Sequence, residues 1–559
     1  MNKKSKNFLI ELLLVFFILA NFLVFSTAYG FYGTNNLSIT RIMPAQRNLA
    51  DQRMKAAGIS WAREEFHWGL IEPRNNRWRW ANPDQAMATH RRNGIQVVGM
   101  LAYSAAWASS NPGAGSDAIF YKPNINEWKN YVSAVVRRYG DVKHWEIWNE
   151  PNFFWKPSPN PDEYREILIA AYDTIKSIDP SAKVASGGTT YIDNSFIDSF
   201  LNNGGWEHLD AVAVHYYPGV GPESDPINRL RDELLKLEYN TIVPHGGPKE
   251  IWITEMGWQS SQIGVQAQAE VIARAMIIAR TVNEVPKILI YNLRDDPTGT
   301  WGLLNNNLTP KTSYNYYKKT VEFLGNRWPA LLLELNDESK FYVFDGPGGP
   351  VAAAWNPSGT REIFFQIKSS SIRCYDIETQ NGQNVDVTSS VVKSWNNGDI
   401  VLQFKPRPIF CQLSNFSAQN TEPMNVSTPQ VAGVTTVADN IKEEKLMSQI
   451  SGRLKGAFSK NVGDGKVLVY RKINSKWQEH SEVAATSGEY NLSVPQGRYY
   501  LAYKIPGLLA SRTRPFEVKG DSDIRVETNM LNSWLAFGVL AGGVVVFILF
   551  VLKYTRRKT

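Results

Sequence analysis

His144-Trp145-Glu146-Ile147-Trp148-Asn149-Glu150-Pro151-Asn152 and, further along, Glu250-Ile251-Trp252-Ile253-Thr254-Glu255-Met256-Gly257-Trp258 decide how this chain is read. Each begins as a short alternating run that suits a strand, and each carries a carboxylate, Glu150 or Glu255, at the C-terminal end of that strand. Similar runs lie on either side, at Ile59 to Phe66, Ile95 to Tyr103, Lys183 to Ser186, Leu209 to His215 and Lys287 to Tyr291. Between them the apolar residues recur with helical spacing, as in Ile125 to Tyr139, Asp162 to Ile178 and Gln266 to Val282. Strand alternating with helix from 31 to 325 predicts a (β/α)8 TIM barrel. An open doubly wound sheet is the other arrangement of such units, but it would carry a Gly-rich phosphate loop early in the chain, and none is present.

In a barrel of this kind the C-terminal ends of the strands ring one pocket, so Glu150 and Glu255 would share it. Two carboxyl groups across a sugar-sized space are what glycoside hydrolysis requires. One is protonated to release the leaving oxygen; the other is ionised and, at ~5 to 5.5 Å, attacks the anomeric carbon directly. Glu64 and Glu65 are acidic neighbours that could compete, but in an alternating strand only one of two adjacent side chains faces the pocket.

The Trp-Asn-Glu-Pro and Thr-Glu-Met-Gly-Trp runs resemble those of clan A glycoside hydrolases. Arg63-Glu64-Glu65-Phe66-His67-Trp68 with Ile71-Glu72-Pro73, and Val214-His215-Tyr216-Tyr217-Pro218, are most similar to family 39, which includes β-xylosidases and α-iduronidases. The resemblance implies that Glu150 on the fourth strand is the acid/base and Glu255 on the seventh the nucleophile. It further implies that Arg63 keeps Glu255 charged, that Asn149 binds the sugar 2-hydroxyl, and that His215 and Tyr217 orient nucleophile and sugar. The charge of Glu255 is expected to raise the pKa of Glu150, so that Glu150 starts protonated. Trp258, Trp107, Trp68, Tyr103 and Trp301 are candidate aromatic faces for pyranose rings. Many clan members place a Trp at the end of the eighth strand. Here Ile290-Tyr291-Asn292 stands there, and Tyr291 or the later Trp301 would take its place.

After Trp328 only strand-like runs follow, which predicts a β-sandwich at 326–415 packed on the barrel, as in that family. Residues 416–450 read as a Ser/Thr/Asn/Pro-rich linker, and 451–528 as a small β-domain resembling transthyretin-like modules, with a stalk role. Cys374 and Cys411 lie in strand-like segments; sequence leaves their pairing open. The seven histidines are scattered without metal-ligand spacing, so neither a metal site nor a cofactor is expected.

Of the 559 residues, 60 are basic and 53 acidic, a net charge of +7. Lys3, Lys4, Lys6 and Glu11 account for +2 of it, and Lys553, Arg556, Arg557 and Lys558 for +4. The remaining +1 leaves no electrostatic footprint for nucleic acid. Leu12 to Phe25 followed by Ser26-Thr27-Ala28 reads as a signal peptide or an N-terminal anchor within 1–28. The uncharged run from Trp534 to Leu552, backed by the basic tail 553–559, reads as a single transmembrane helix. A buried core helix is the alternative. The expectation is a retaining glycosidase with a carbohydrate substrate, held at the cell membrane with its catalytic domain outside. The alternative is a catalytically inactive, membrane-anchored carbohydrate-binding or envelope scaffold protein.

Overall fold

The structure is a computed structural model. It describes residues 30–416, except 220, 224–228, 335–337, 368, 381–382 and 397–398, and from 447 to 529 only the strands. The chain divides into two units, Met1–Thr428 and Pro429–Thr559.

The first unit opens with a closed eight-stranded parallel barrel in sequential order: β1 (Tyr32–Asn35), β2 (Trp61–His67), β3 (Gln96–Ala102), β4 (His144–Ile147), β5 (Lys183–Ser186), β6 (Ala211–Tyr216), β7 (Glu250–Met256) and β8 (Lys287–Ile290). Closure excludes the open sheet. Eight main helices alternate with the strands: α1 (Arg47–Ala56), α2 (Ala81–Asn93), α3 (Ile125–Arg138), α4 (Pro161–Ile178), α5 (Asn194–Leu201), α6 (Leu230–Lys236), α7 (Val265–Ala279) and α8 (Thr312–Leu324). Their starts follow local chemistry. The side chains of Asn124 and Asn160 each accept two backbone N–H groups at the first turns of α3 and α4, and Pro161 stands at the first position of α4. Sequence patterning misses β1, a strand of only four residues (Tyr-Gly-Thr-Asn) with one bulky apolar side chain.

Alternation along β2 decides which charges reach the site. Trp61 packs with Val98, Ala185, Ala211, Ala213, Trp252 and Leu289 in an apolar layer of the lumen, while Ala62 and Phe66 join the cluster formed with the helices. Glu64 shares the outward parity. Its oxygens accept the amides of Ser38 and Ile39, both at 2.9 Å, and meet His90 Nε2 at 3.1 Å. His90 Nδ1 lies 2.8 Å from Asp51. Burial alone would lower the His90 pKa, but its hydrogen bonds to Asp51 and Glu64, with their charges, outweigh burial and push it up to about 9. A pKa raised by folding stabilises below the ordinary value of 6.5, and that contribution is lost as the pH climbs through about 9. Thermal melting should therefore show Tm falling across that window in the native protein and a flatter profile in His90→Gln. A native Tm that holds steady through it contradicts the buried ion triad.

After α8 the chain forms two antiparallel sheets. One has the order β14-β13-β17-β11-β10-β9 and the other β12-β16-β15. The strands are β9 (Trp328–Glu334), β10 (Lys340–Asp345), β11 (Val351–Trp355), β12 (Arg361–Gln366), β13 (Ser371–Gln380), β14 (Gln383–Asp386), β15 (Val392–Asn396), β16 (Asp399–Phe404) and β17 (Ile409–Ser414). Period-two alternation serves two cores at once. Phe341, Val343, Ala352 and Ala354 face the smaller sheet's Ile400, Leu402 and Phe404, whereas Tyr342, Phe344, Ala353 and Trp355 join the barrel's cluster. Phe410 stacks on Phe323 of α8 with ring centroids 4.7 Å apart.

Cys374 and Cys411 stand opposite each other on β13 and β17 and form a disulfide. They close a loop with a sequence separation of 37, for which chain entropy gives a stabilisation of about 2 to 4 kcal/mol. Reductant, or Cys374→Ala with Cys411→Ala, should lower the sandwich's unfolding free energy by about that amount. Identical denaturant midpoints with and without reductant would contradict it.

The second unit holds β18 (Met447–Lys455), β19 (Gly465–Ile473), β20 (Lys476–Ala485), β21 (Glu489–Pro495), β22 (Gly497–Lys504), β23 (Ser511–Arg512), β24 (Phe516–Val518) and β25 (Ile524–Asn529). β18 pairs antiparallel with β21 and parallel with β25; β19 lies between β20 and β22. β18 starts at Met447, inside the stretch expected to be linker, because its Ser and Gln side chains hide a strand whose backbone pairs on both edges. Among the described residues no helix is long and apolar enough to cross a membrane. The expected leader at 1–28, the membrane run at 534–552, the basic tail at 553–559 and the linker from 417 to 446 lie outside the described residues.

Candidate active site

The apolar layer of the lumen gives way, toward the C-terminal ends of the strands, to a polar one centred on Arg63. This side chain is 1 % exposed and all five of its N–H groups have acceptors. Nε and Nη2 grip Glu146 at 2.7 and 3.0 Å, and Nη1 reaches Glu255 Oε1 at 2.6 Å. Asn35 Oδ1 at 3.0 Å and Asn149 Oδ1 at 2.8 Å take the remainder. Burial opposes the guanidinium's charge, yet the charges of Glu146 and Glu255 and the Glu146 hydrogen bond raise its pKa further. Arg63→Met would leave Glu146 and Glu255 buried without their shared cation, and unpairing a buried charge costs about 3 to 5 kcal/mol. Chemical denaturation should register that loss, and a near-native midpoint would contradict the arrangement.

Glu255, at the end of β7, takes a second short bond, from Tyr217 Oη to Oε2 at 2.5 Å. The Tyr217 hydroxyl pKa is driven well above its usual value by burial first and then by the Glu255 charge, so the phenol remains a donor. Glu150 follows β4 in a left-handed backbone conformation, φ +47°, and Trp148 has φ +75°. Non-glycine residues enter that region only when the surroundings hold them there, and such strain gathers at functional sites. What holds Glu150 is its own N–H on the Gly188 carbonyl at 2.9 Å and the Phe153 and Phe154 amides on its carbonyl, both at 2.9 Å. Gly188 has no substitute: a Cβ there would lie 2.2 Å from His215 Nε2.

His215, fully buried at the end of β6, joins the two halves. Its Nδ1 is 2.8 Å from Glu150 Oε1 and 3.7 Å from Glu255 Oε2. One carboxylate oxygen of each glutamate and one ring nitrogen of His215 all lie within 4.8 Å of one another. Burial would raise the Glu150 pKa, but the His215 hydrogen bond and charge and the Arg63 charge outweigh it and draw it below the ordinary carboxylate value. This corrects the expectation that the neighbouring charge of Glu255 raises it. The imidazole lies closer to Glu150 than to Glu255, so the Glu255 charge acts instead on His215: burial lowers the ring's pKa, but Glu255 and then Glu150 raise it overall.

The structure thus brings Glu150, Glu255, Asn149, Arg63, His215 and Tyr217 into one group: Arg63, Glu255, Asn149 and Tyr217 share hydrogen bonds, His215 is bonded to Glu150, and the two sets meet where His215 Nδ1 stands 3.7 Å from Glu255. Tyr291 and Trp301 flank it at the eighth strand, with ring centroids 6.2 and 5.3 Å from Tyr217. Arg41 Nη1 holds the Tyr291 hydroxyl at 2.7 Å and Asp296 at 2.9 Å. Tyr103 is half-buried beside the pocket. Burial first, then the charge of Glu65, lift its pKa well above the usual value, with Glu150 and Glu255 adding to it.

Other expected aromatic faces are placed differently. Trp68 is fully buried, stacked on Tyr131 with ring centroids 4.9 Å apart, and its indole N–H goes to Glu72 at 2.8 Å. Trp258 is 2 % exposed. Neither offers a free face to a sugar, because both rings fill the cluster between barrel and helices. Trp107 is half-buried and gives its indole N–H to the Glu72 carbonyl at 2.9 Å. The residues that sequence reasoning passed over are Glu146, Asn35 and Thr254. Glu146 also accepts the Gly188 amide and the Thr254 hydroxyl. Its signal was present: a carboxylate opposite in parity to Trp145 and Ile147 inside a barrel strand must point into the lumen and needs a cation there.

A family model described as glycosyl hydrolases family 39 matches residues 106–291. No curated protein matches the chain. Among solved structures, a family 39 glycoside hydrolase from the gut symbiont Bacteroides cellulosilyticus WH2 superposes with TM-score 0.57 at 21% identity, over 69% of this chain and 81% of that one. A glycoside hydrolase family 30 subfamily 8 xylanase from Clostridium acetobutylicum gives 0.52 at 15% identity, over 68% and 95%. A family 39 β-xylosidase from Caulobacter crescentus gives 0.50 at 16%, over 68% and 95%. At these identities the structures show a shared fold. Together with the family match, they support a glycosidase.

Proposed function

We propose that the protein is a retaining glycoside hydrolase that cleaves O-glycosidic bonds of an oligo- or polysaccharide by double displacement. The observation that carries this reading is the approach of Glu150 and Glu255 oxygens to within 4.8 Å, with different partners on each. So close an approach favours the ~5 to 5.5 Å separation of carboxyl groups that permits direct attack over the ~6.5 to 9.5 Å by which inverting enzymes admit a water. Glu255, held between Arg63 and Tyr217, attacks the anomeric carbon as a carboxylate. The proton for the leaving oxygen comes from the Glu150–His215 pair. Once Glu255 is esterified its charge is gone, the main support for a proton on His215 goes with it, and Glu150 accepts a proton from the incoming water. Asn149 gives its oxygen to Arg63, so only its NH2 remains for the sugar; it acts as a donor to the 2-hydroxyl. Tyr291 and Trp301 form the wall against the reacting sugar.

The xylosidase and xylanase among the structural neighbours make β-xylosides the first substrates to test, within a panel of β-gluco-, β-galacto- and β-mannosides. Product configuration followed by NMR during turnover tests the mechanism. Retained anomers are expected; an inverted first product would sink double displacement. We place the enzyme outside the cell, exported by the segment before Gly30 and tethered by the run from Trp534 to Leu552. The Cys374–Cys411 disulfide suits an oxidising compartment, and fractionation of expressing cells tests the location. The second unit then serves as a stalk.

A further inference from the structure

Exposed large aromatic side chains are few among the described residues: Phe153 is 63 % exposed, Trp328 59 % and Tyr191 58 %. Two of these three flank Glu150. Phe153 lies three positions beyond it, on the turn whose amides fix the Glu150 carbonyl. Tyr191 stands on the loop after β5, and Asn152 ties the two loops together. Its Oδ1 accepts the Thr190 amide at 2.9 Å, and its Nδ2 donates to the Thr190 carbonyl at 3.1 Å and to Asp193 at 3.0 Å.

The rings continue inward. Phe153 meets Phe154 at 5.0 Å, Phe154 stacks on Phe120 at 5.2 Å, and Phe120 meets Tyr103 at 5.1 Å between centroids. Phe154, Phe120 and Tyr103 are each half-buried, and Tyr103 meets Trp148, two positions before Glu150, edge-on at 5.5 Å between centroids. A continuous row of rings therefore runs from the segment that carries Glu150 to the surface. Leaving a phenylalanine in water gives no folding benefit, and contiguous apolar surface of this kind marks a binding face. Flat C–H faces of pyranose rings are natural partners for flat aromatic ones.

We propose that Tyr103, Phe120, Phe154 and Phe153, with Tyr191 across Asn152, form a platform for sugar residues on the leaving-group side of the cleaved bond. The assignment of side rests on the proposed role of Glu150 as the acid, since the departing oxygen must lie against it. The leaving group is then itself a saccharide chain.

The test uses the full-length protein, its Phe153→Ala and Tyr191→Ala variants and the double variant. β-Xylosyl, β-glucosyl, β-galactosyl and β-mannosyl fluorides identify the sugar accepted fastest. That fluoride, whose leaving group has nothing to stack, is compared with the matching β-1,3- and β-1,4-linked tetrasaccharides. The platform predicts a loss in kcat/KM on the tetrasaccharide of about tenfold per ring, mainly in KM, with fluoride hydrolysis unchanged. Equal losses on both substrates, no loss on the tetrasaccharide, or a native protein that cleaves the fluoride and neither tetrasaccharide would each overturn it. Hydrolysis of none of the fluorides would instead defeat the glycosidase reading, and the platform with it.

Discussion

Glu255→Gln should lower kcat by roughly 10^4-fold or more, in the range seen when the nucleophile of a covalent mechanism is removed. An amide cannot form the glycosyl ester, so the double displacement loses its first bond. The substitution is nearly isosteric, and Oε1 of glutamine still accepts from Arg63. Arg63 also keeps its two bonds to Glu146, so the buried guanidinium retains a carboxylate partner. Folding is therefore expected to survive, and a melting curve close to the native one should accompany the loss of turnover. Near-normal rates in this variant would remove Glu255 from the chemistry.

Glu150→Gln should divide substrates by their leaving groups. General acid–base assistance contributes about 10^2- to 10^4-fold, and an alkoxide of a sugar needs all of it. Fluoride departs without a proton, so the first step on a glycosyl fluoride should be nearly unaffected and the glycosyl ester should accumulate, since water then lacks its base. The expected result is a large fall in kcat on oligosaccharides and a pre-steady-state burst with the fluoride. Azide added to Glu150→Ala should restore turnover and give a glycosyl azide of retained configuration. Equal losses on both substrate types, without a burst, would assign Glu150 a structural role. The His215 contact makes a further point: the proton delivered by Glu150 rests within a pair whose carboxyl pKa is held low, so the alkaline limb of the activity profile, where that proton is lost, belongs to the pair rather than to one residue.

The barrel was legible because its strands and helices advertise different periods. Pro161–Ile178 and Lys183–Ser186 fall almost where their patterns place them. The glutamates were legible because barrel geometry sends strand ends to one pocket. Three things were not. β1 is too short and too polar to show a period. The Glu146–Arg63 pairing joins β4 to β2 across the lumen, and a single sequence shows parity but not which inward charge meets which. The inverted expectation for the Glu150 pKa came from reasoning about one pair of charges. The result depends on a third group, His215, whose ring approaches one carboxylate more closely than the other. Tryptophan was misread for a related reason: Trp68 and Trp258 have the right chemistry for sugar, but their positions bury them.

Incubation of the protein with 2-deoxy-2-fluoro-β-glycosyl fluorides of the accepted sugar, followed by peptide mass spectrometry, tests the central claim most directly. The expected result is one fluorosugar per chain, esterified to the peptide carrying Glu255, with Glu150 unmodified. A label on any other residue, or an unlabelled protein that still hydrolyses the parent glycosyl fluoride, would contradict it.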